Sequence, residues 1–466
     1  MRNSVRLIFW ALVVLLVAAV LLWRGHPFRP KKLPNVIVIL IDTLRADHLG
    51  AYGYWRNTSP NIDAFAKESI KFSRAISASN WTPTSVATLF TGLYPTTHGL
   101  SPDPDRLQAT KRAQRLSTCY MTFPILFQGL GYETMAVSSN PWIGPAFGFD
   151  VGFDSFKLLN RLDGDKVVAS AKKAMERYLK SSSEKPFLLY LHFMDPHNPY
   201  SPHPASTNLF LDDPSAIGFP YLDRMKENIR LYDGEILNVD TAIGDFFQYL
   251  RERGLYDDTR IILLADHGEQ FAEHGKLGHG LQLHQEELHV PLLVKVPGQS
   301  RTDDTLVSNI DVLPTLFDVV GVSKPEALPG ISLLDTTNLE KRRGVFSEFL
   351  HHHAEQAFSD VRNNRVIYDL ALDEELSRPH IGSDGEPVRA LNGLFNFATD
   401  KFEQAPLVDP GLEQYLKTQL ITAYDGALRV RQTCTAAAAA GSSSEESSSP
   451  VNAQVLQQLR SLGYFK

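Results

Sequence analysis

Residues 35–42 read NVIVILID: six consecutive apolar residues, Val36 to Ile41, closed by a carboxylate. No polar residue alternates along the run, so as a strand it is apolar on both faces. Such strands belong in parallel sheets covered by helices on either side. Two later runs have the same character, FLLYLHF at Phe187–Phe193 and RIILLA at Arg260–Ala265. Helix-like stretches lie between them, at Lys166–Leu179 and Met225–Leu250. The alternation predicts an α/β sandwich around a mostly parallel central sheet. Each run also leads into acidic or histidine residues: Asp42; Asp195 and His197; Asp266 and His267. Ligands bind beyond the carboxyl ends of the strands in open α/β sheets. If the three strands are neighbours, one sheet edge collects these carboxylates and imidazoles.

The rest of the chain sets limits. It has 466 residues, 43% hydrophobic and 21% charged, with a formal net charge of -7. Both signs are mixed along it, which excludes a basic nucleic-acid groove. Its two cysteines, Cys119 and Cys434, stand in no metal-ligand spacing and build no disulfide scaffold. Leu7–Trp23 is almost unbroken apolar sequence, about long enough to cross a bilayer as one helix. Residues 1–25 are therefore read as a single-pass anchor, and 26–34 as a linker. Basic residues flank the span on both sides and do not fix its orientation. Residues 35–325 form the main domain and 326–435 a smaller C-terminal α+β subdomain. Residues 436–452 (AAAAAGSSSEESSSP and two more) read as a low-complexity linker, and 453–466 as a short helix.

The candidate chemistry is scattered. In Asn80–Ser85, NWTPTS, Thr82 precedes a proline and an apolar run that Gly92 ends. This predicts a helix with Thr82 at its N-cap, where N–H groups favour an anion. A hydroxyl there could attack an ester, although capping accounts for the segment on its own. In Asp266-His267, a carboxylate beside an imidazole suits zinc or manganese better than calcium. His197, in a proline-stiffened loop, and His279, in a glycine-punctuated one, have the chemistry to bind an anionic ester or protonate a leaving group. His351–His353 lacks spaced carboxylate partners and reads as an exposed loop.

The ordered set of segments resembles the sulfatase branch of the alkaline-phosphatase superfamily. Asn35–Tyr54 looks like the sulfatase opening strand and metal loop. Thr82–Gly99, TPTSVATLFTGLYPTTHG, looks like the nucleophile segment. Met194–Tyr200, MDPHNPY, resembles the Asp-Pro-His-x-Pro-Tyr loop, and Ala265–Gly280 the second metal loop. Val290–Gly298 resembles the strand that follows, and Leu394–Gln404 a late signature ending in glutamate. The resemblance implies an alkaline-phosphatase-like sandwich acting on sulfate or phosphate esters, a glycan or lipid head group among them. It also implies a catalytic domain facing the periplasm or cell exterior. Asn140, before Gly152-Phe153-Asp154, falls where similar proteins place a substrate contact.

The departures from the family are informative. Sulfatases carry Cys or Ser in C-x-P-x-R, which becomes formylglycine. Here that position is Thr82 and the arginine is Val86, so formylglycine is excluded. Asp42-Thr43 replaces paired aspartates, Asp266-His267 replaces Asp-Asn, and His279 stands where a lysine is common. The set Asp42, Thr82, Asp266 and His267 is similar to the one-metal site of phosphoethanolamine transferases and lipoteichoic-acid synthases. The expected protein is thus a membrane-anchored, metal-dependent ester hydrolase with a Thr82 nucleophile. A phosphoryl transferase and an inactive sulfatase-fold scaffold are the alternatives.

Overall fold

The computed structural model describes residues 33–159, 163–181, 184–202, 225–350, 354–370, 389–401 and 403–441, with short segments at 372–373, 378–379 and 448–450. The anchor read at residues 1–25, the tract His351–His353 and the helix read at 453–466 lie outside the described residues. Among the described residues, no helix is long and apolar enough to cross a membrane.

The three apolar runs do lie side by side. The central sheet has eight strands: β1 (Val36–Ile41), β2 (Ile70–Ile76), β3 (Glu133–Ser138), β4 (Ser155–Leu158), β5 (Phe187–Phe193), β6 (Arg260–Ala265), β7 (His289–Lys295) and β8 (Arg301–Ser308). Their spatial order is β8-β2-β7-β6-β1-β5-β3-β4. Strand β1 pairs in parallel with β5 and β6 on its two sides. Strand β7 runs antiparallel to both its neighbours, which makes the sheet mixed but mostly parallel. Every residue of β1 and β5 is buried, as strands covered by helices on both faces must be.

Helix α1 (Thr82–Thr91) has Pro83 in its first turn. It ends where Gly92 takes a left-handed φ of 63° and donates its N–H to the Thr88 carbonyl. Helices α2 (Gly164–Lys180) and α3 (Met225–Glu252) match the two helical stretches read from the sequence.

A second sheet is antiparallel: β9 (Gly344–Leu350), β10 (Ala354–Asp360), β11 (Asn364–Leu370) and β12 (Arg389–Asn396), in that order. It packs Phe346, Phe358, Val366, Tyr368 and Leu394 against Leu416, Leu420 and Tyr424 of helix α4 (Pro410–Gly441). Residues Asn35–Lys466 form one compact unit. The Glu348 N–H donates to the Ala78 carbonyl and the Ser347 hydroxyl to the Ser77 carbonyl, so β9 is stitched to the turn that precedes α1. The linker reading is corrected in part. Ala436–Gly441 continues α4, because alanine is the strongest helix former. Ser448–Pro450 pairs as a short strand with Arg112–Gln114. Cys119 is disulfide-bonded, a pairing that the wide cysteine spacing did not suggest.

Candidate active site

Register brings the candidate residues together. Ile41 at the end of β1 is the partner of Ala265 on β6 and of Phe193 on β5. Asp42 and Asp266 therefore emerge in one row at the carboxyl edge. His192, one residue before the end of β5, pairs with Leu40. Leu40 and Asp42 lie on the same face of the strand, so the His192 ring reaches Asp42. Its Nε2 lies 3.2 Å from Asp42 Oδ2. Possible ligand atoms of Asp42, His192 and Asp266 all fall within 4.8 Å of one another, and all three side chains are buried. This group could hold a metal ion.

The donors fit a cation. Asp266 Oδ1 accepts the N–H groups of Thr43 (3.1 Å) and His267 (2.9 Å). Asp266 Oδ2, equally buried, has no hydrogen-bond partner. Its near neighbour is His267 Nε2 at 3.5 Å, and a buried carboxylate oxygen that accepts no hydrogen bond is costly, a cost that a metal would relieve. Burial and the Asp42 charge push the Asp266 carboxyl well above the usual range. Burial also opposes ionisation of Asp42, but the His192 hydrogen bond, together with the charge that His197, His192 and His267 carry at the acid pH where this carboxyl titrates, outweighs it and holds Asp42 well below the usual range. Tyr190 Oη, 3.1 Å from His192 Nδ1, can donate or accept and so serves either tautomer of the ring. The Thr43 backbone is left-handed, with φ of 54°. For a β-branched residue this costs about 1–3 kcal/mol, and it aims the Thr43 N–H at Asp266.

Thr82 is fully buried and lies inside helix α1, not at its cap. Trp81 is the N-cap residue, and no side chain caps the helix. The Thr82 hydroxyl instead lies 3.0 Å from His267 Nε2 and 3.4 Å from Asp42 Oδ1. His267 Nδ1 is 2.9 Å from the Gly268 carbonyl. That contact puts the ring proton on Nδ1 and leaves the Nε2 lone pair facing Thr82. Burial and the nearby His279 lower the His267 pKa to about 3, so the ring is neutral at pH 7. Gly268 must be glycine: a Cβ there would lie 2.0 Å from the Glu286 carbonyl oxygen. Ser85, one turn into the helix, spends its hydroxyl on the Asp266 carbonyl at 2.7 Å.

Two further histidines border the site. The His279 ring lies 4.5 Å from the His267 ring and 4.9 Å from that of His197, between centroids. It also lies beside Trp81, with ring centroids 6.0 Å apart. Burial works against a charge on His279, but the Glu269 carboxylate overrides it and raises the pKa. His197 is the opposite case: burial brings it down to about 4.

The structure thus brings Asp42, Thr82, Asp266, His267, His197 and His279 together. Asn140 arrives there too. Its Nδ2 donates to Asp42 Oδ2 at 2.5 Å, and its Oδ1 accepts the Trp142 N–H, so its amide braces a carboxylate. His192 joins Asp42 and Asp266 in a group that could hold an ion, and His267 Nε2 lies 3.5 Å from Asp266 Oδ2. Sequence reasoning gave His192 no role. The available signal was an ionisable side chain in the otherwise apolar strand FLLYLHF.

Comparison with known proteins agrees with this architecture. The family model described as Sulfatase matches residues 34–322. A sulfatase of Escherichia coli, YidJ, is 24% identical over 413 residues, covering 74% of this chain and 80% of its own. An arylsulfatase of Clostridium perfringens is 21% identical over 407 residues, covering 72% of this chain and 84% of its own. Among solved structures, a phosphonate monoester hydrolase of Agrobacterium radiobacter superposes with a TM-score of 0.66 at 20% identity, covering 85% of this chain and 96% of its own. That likeness bears out the alkaline-phosphatase-like sandwich with its small C-terminal sheet.

Proposed function

This chain belongs to the sulfatase family and is an ester hydrolase of that family; from that premise we propose that it cleaves sulfate or phosphate esters with Thr82 as nucleophile. The observation that carries the reading is the aim of the Thr82 hydroxyl. It turns away from helix capping and into the space between His267 and Asp42.

Asp42, His192 and Asp266 would hold one divalent ion. The imidazole favours zinc or manganese over calcium. When bound, the ion supplies Lewis acidity and positive charge beside the ester oxygens. The protein side chains do the rest. Thr82 Oγ1 attacks the central phosphorus or sulfur as its proton passes to His267 Nε2, 3.0 Å away; with a pKa of about 3 the ring is a weak base, and the acidity that a bound ion would lend the hydroxyl makes up for it. The bond from the central atom to the ester oxygen breaks, and His279 protonates the departing oxygen. His197, neutral at pH 7, hydrogen-bonds the ester group. Water then attacks the same central atom and gives its proton to His279, while the bond to Thr82 Oγ1 breaks and His267 returns the proton to that oxygen; an acceptor alcohol in place of water would make the enzyme a transferase. We further propose that Leu7–Trp23 anchors the chain with the catalytic unit outside the cytoplasm. The disulfide at Cys119 supports an oxidising compartment.

The test is a panel of aryl sulfates, phosphates and phosphodiesters with the parent protein, Thr82→Ala and Thr82→Ser. Thr82→Ala should lose turnover yet still fold and melt cooperatively, with at most a modest fall in melting temperature from the lost contacts to His267 and Asp42. Thr82→Ser should keep part of the activity. Full turnover by Thr82→Ala would remove Thr82 from the mechanism. Intact-mass detection of a sulfate-sized or phosphate-sized adduct on Thr82 would identify the reaction class.

A further inference from the structure

Glu269 has no part in the chemistry above, yet its carboxylate is fully buried at the edge of the site. Its backbone is fixed from two sides. The Glu269 N–H donates to the Glu286 carbonyl at 3.1 Å, and its own carbonyl accepts Arg45 Nη1 at 2.9 Å. The Arg45 guanidinium is held in turn by Asp47 and Glu273. The side chain therefore projects from an immobile frame, and both of its oxygens are in use. Oε1 lies 3.0 Å from His279 Nδ1. Oε2 accepts the Tyr200 hydroxyl at 3.2 Å. Tyr200 lies three residues after His197 on the same loop. One carboxylate thus fastens two loops, each bearing a histidine of the site.

A carboxylate on Nδ1 fixes both the tautomer and the orientation of an imidazole. The opposite ring nitrogen, Nε2, is then the one offered outward. Trp81 lies alongside, its ring centroid 6.0 Å away and tilted by 29°. We propose that Glu269 is a positioning residue: it sets His279 so that Nε2 meets the leaving oxygen, and through Tyr200 it holds the His197 loop to the same support. The inference rests on the leaving-group role given to His279 above.

The experiment uses the full chain as parent, Glu269→Ala, Glu269→Gln and His279→Ala. Each is assayed on a 4-nitrophenyl ester and an alkyl ester of whichever acid the parent turns over. A group that protonates the leaving oxygen matters for a poor leaving group and little for nitrophenolate. Glu269→Ala should therefore lower kcat on the alkyl ester about 100-fold, with KM nearly unchanged, and lower it by a much smaller factor on the nitrophenyl ester; His279→Ala should lower both rates, with the larger loss again on the alkyl ester. Glu269→Gln keeps an acceptor for the Nδ1 proton and should retain most of the alkyl-ester rate. Histidine-ring 15N NMR provides an arm independent of turnover. The Nδ1–H signal of His279, assigned by its absence in His279→Ala, should persist in Glu269→Gln and be lost or shifted in Glu269→Ala. An unchanged His279 signal in Glu269→Ala overturns the inference whatever the kinetics. Equal loss on both esters overturns it as well, since that pattern marks a merely structural role. Full alkyl-ester turnover by His279→Ala overturns instead the reading of His279 on which the inference rests.

Discussion

Asp42 shows how little of a site is contained in its most visible residues. Its position after NVIVILI was legible, because a carboxylate closing a buried strand must lie at the sheet edge. Its partners were not. His192 comes from a strand that reads as core, and Asn140 from a turn about a hundred positions away. Only the register of three strands brings them together, and register is set by side-chain packing that no single segment encodes. His192→Ala should therefore release the metal. Competition with a chromophoric chelator should show affinity reduced well beyond tenfold. Tyr190→Phe, which removes only the hydroxyl behind His192 Nδ1, should cost about tenfold. Unaltered affinity in His192→Ala would remove that residue from the ligand set.

Among the elements, strands were read more securely than helix ends. The apolar runs and the two long helices occur where periodicity put them, because burial on both faces, or on one stripe, leaves a strong pattern. The start of α1 was placed one residue late, since a Thr-Pro pair satisfies the capping rules equally well from either position. The alanines at 436–441 were read as linker on composition, although their propensity favours continuing the preceding helix. The loop from Gly268 to Leu288 shows the limit most clearly. It is held by groups from distant elements: Glu355 accepts the Leu283 N–H at 2.6 Å, and Glu403 accepts the Gln285 N–H at 2.8 Å. Within it His274 stacks on His284, with ring centroids 3.6 Å apart. Burial opposes a charge on His274, but the hydrogen bond to Glu286 prevails and raises its pKa to about 9. A raised histidine pKa stabilises the fold fully below the unfolded value of about 6.5 and loses that contribution as pH climbs through the folded value. The melting temperature should therefore fall between pH 7 and 10. In His274→Gln this part of the slope should be missing, and a slope identical to the parent's would refute the assignment.

At the scale of the molecule, the site is assembled by one compact unit from Asn35 onward. A chain beginning at Asn35 should fold and remain in the supernatant after an alkaline, high-salt wash; recovery in the membrane pellet would count against a single N-terminal anchor. Binding a cation to the native state alone stabilises it by mass action, about 4 kcal/mol when free metal exceeds Kd a thousandfold. Dialysis against a chelator should accordingly lower the melting temperature, and zinc or manganese should restore it where calcium does not. Recovery with calcium alone would reverse the proposed metal preference. The grip of the small sheet on the His279 loop has a thermodynamic corollary. Glu355 sits on β10, and Glu403 is held by Arg365 on β11 at 3.0 Å. If loop and sheet open together, whatever occupies the site must also oppose opening of the sheet, because coupling between sites is reciprocal. Deuterium uptake by Ala354–Asp360 should then slow when an oxyanion such as vanadate binds beside Thr82. The small sheet would act as a distant gauge of occupancy, readable without any turnover at all.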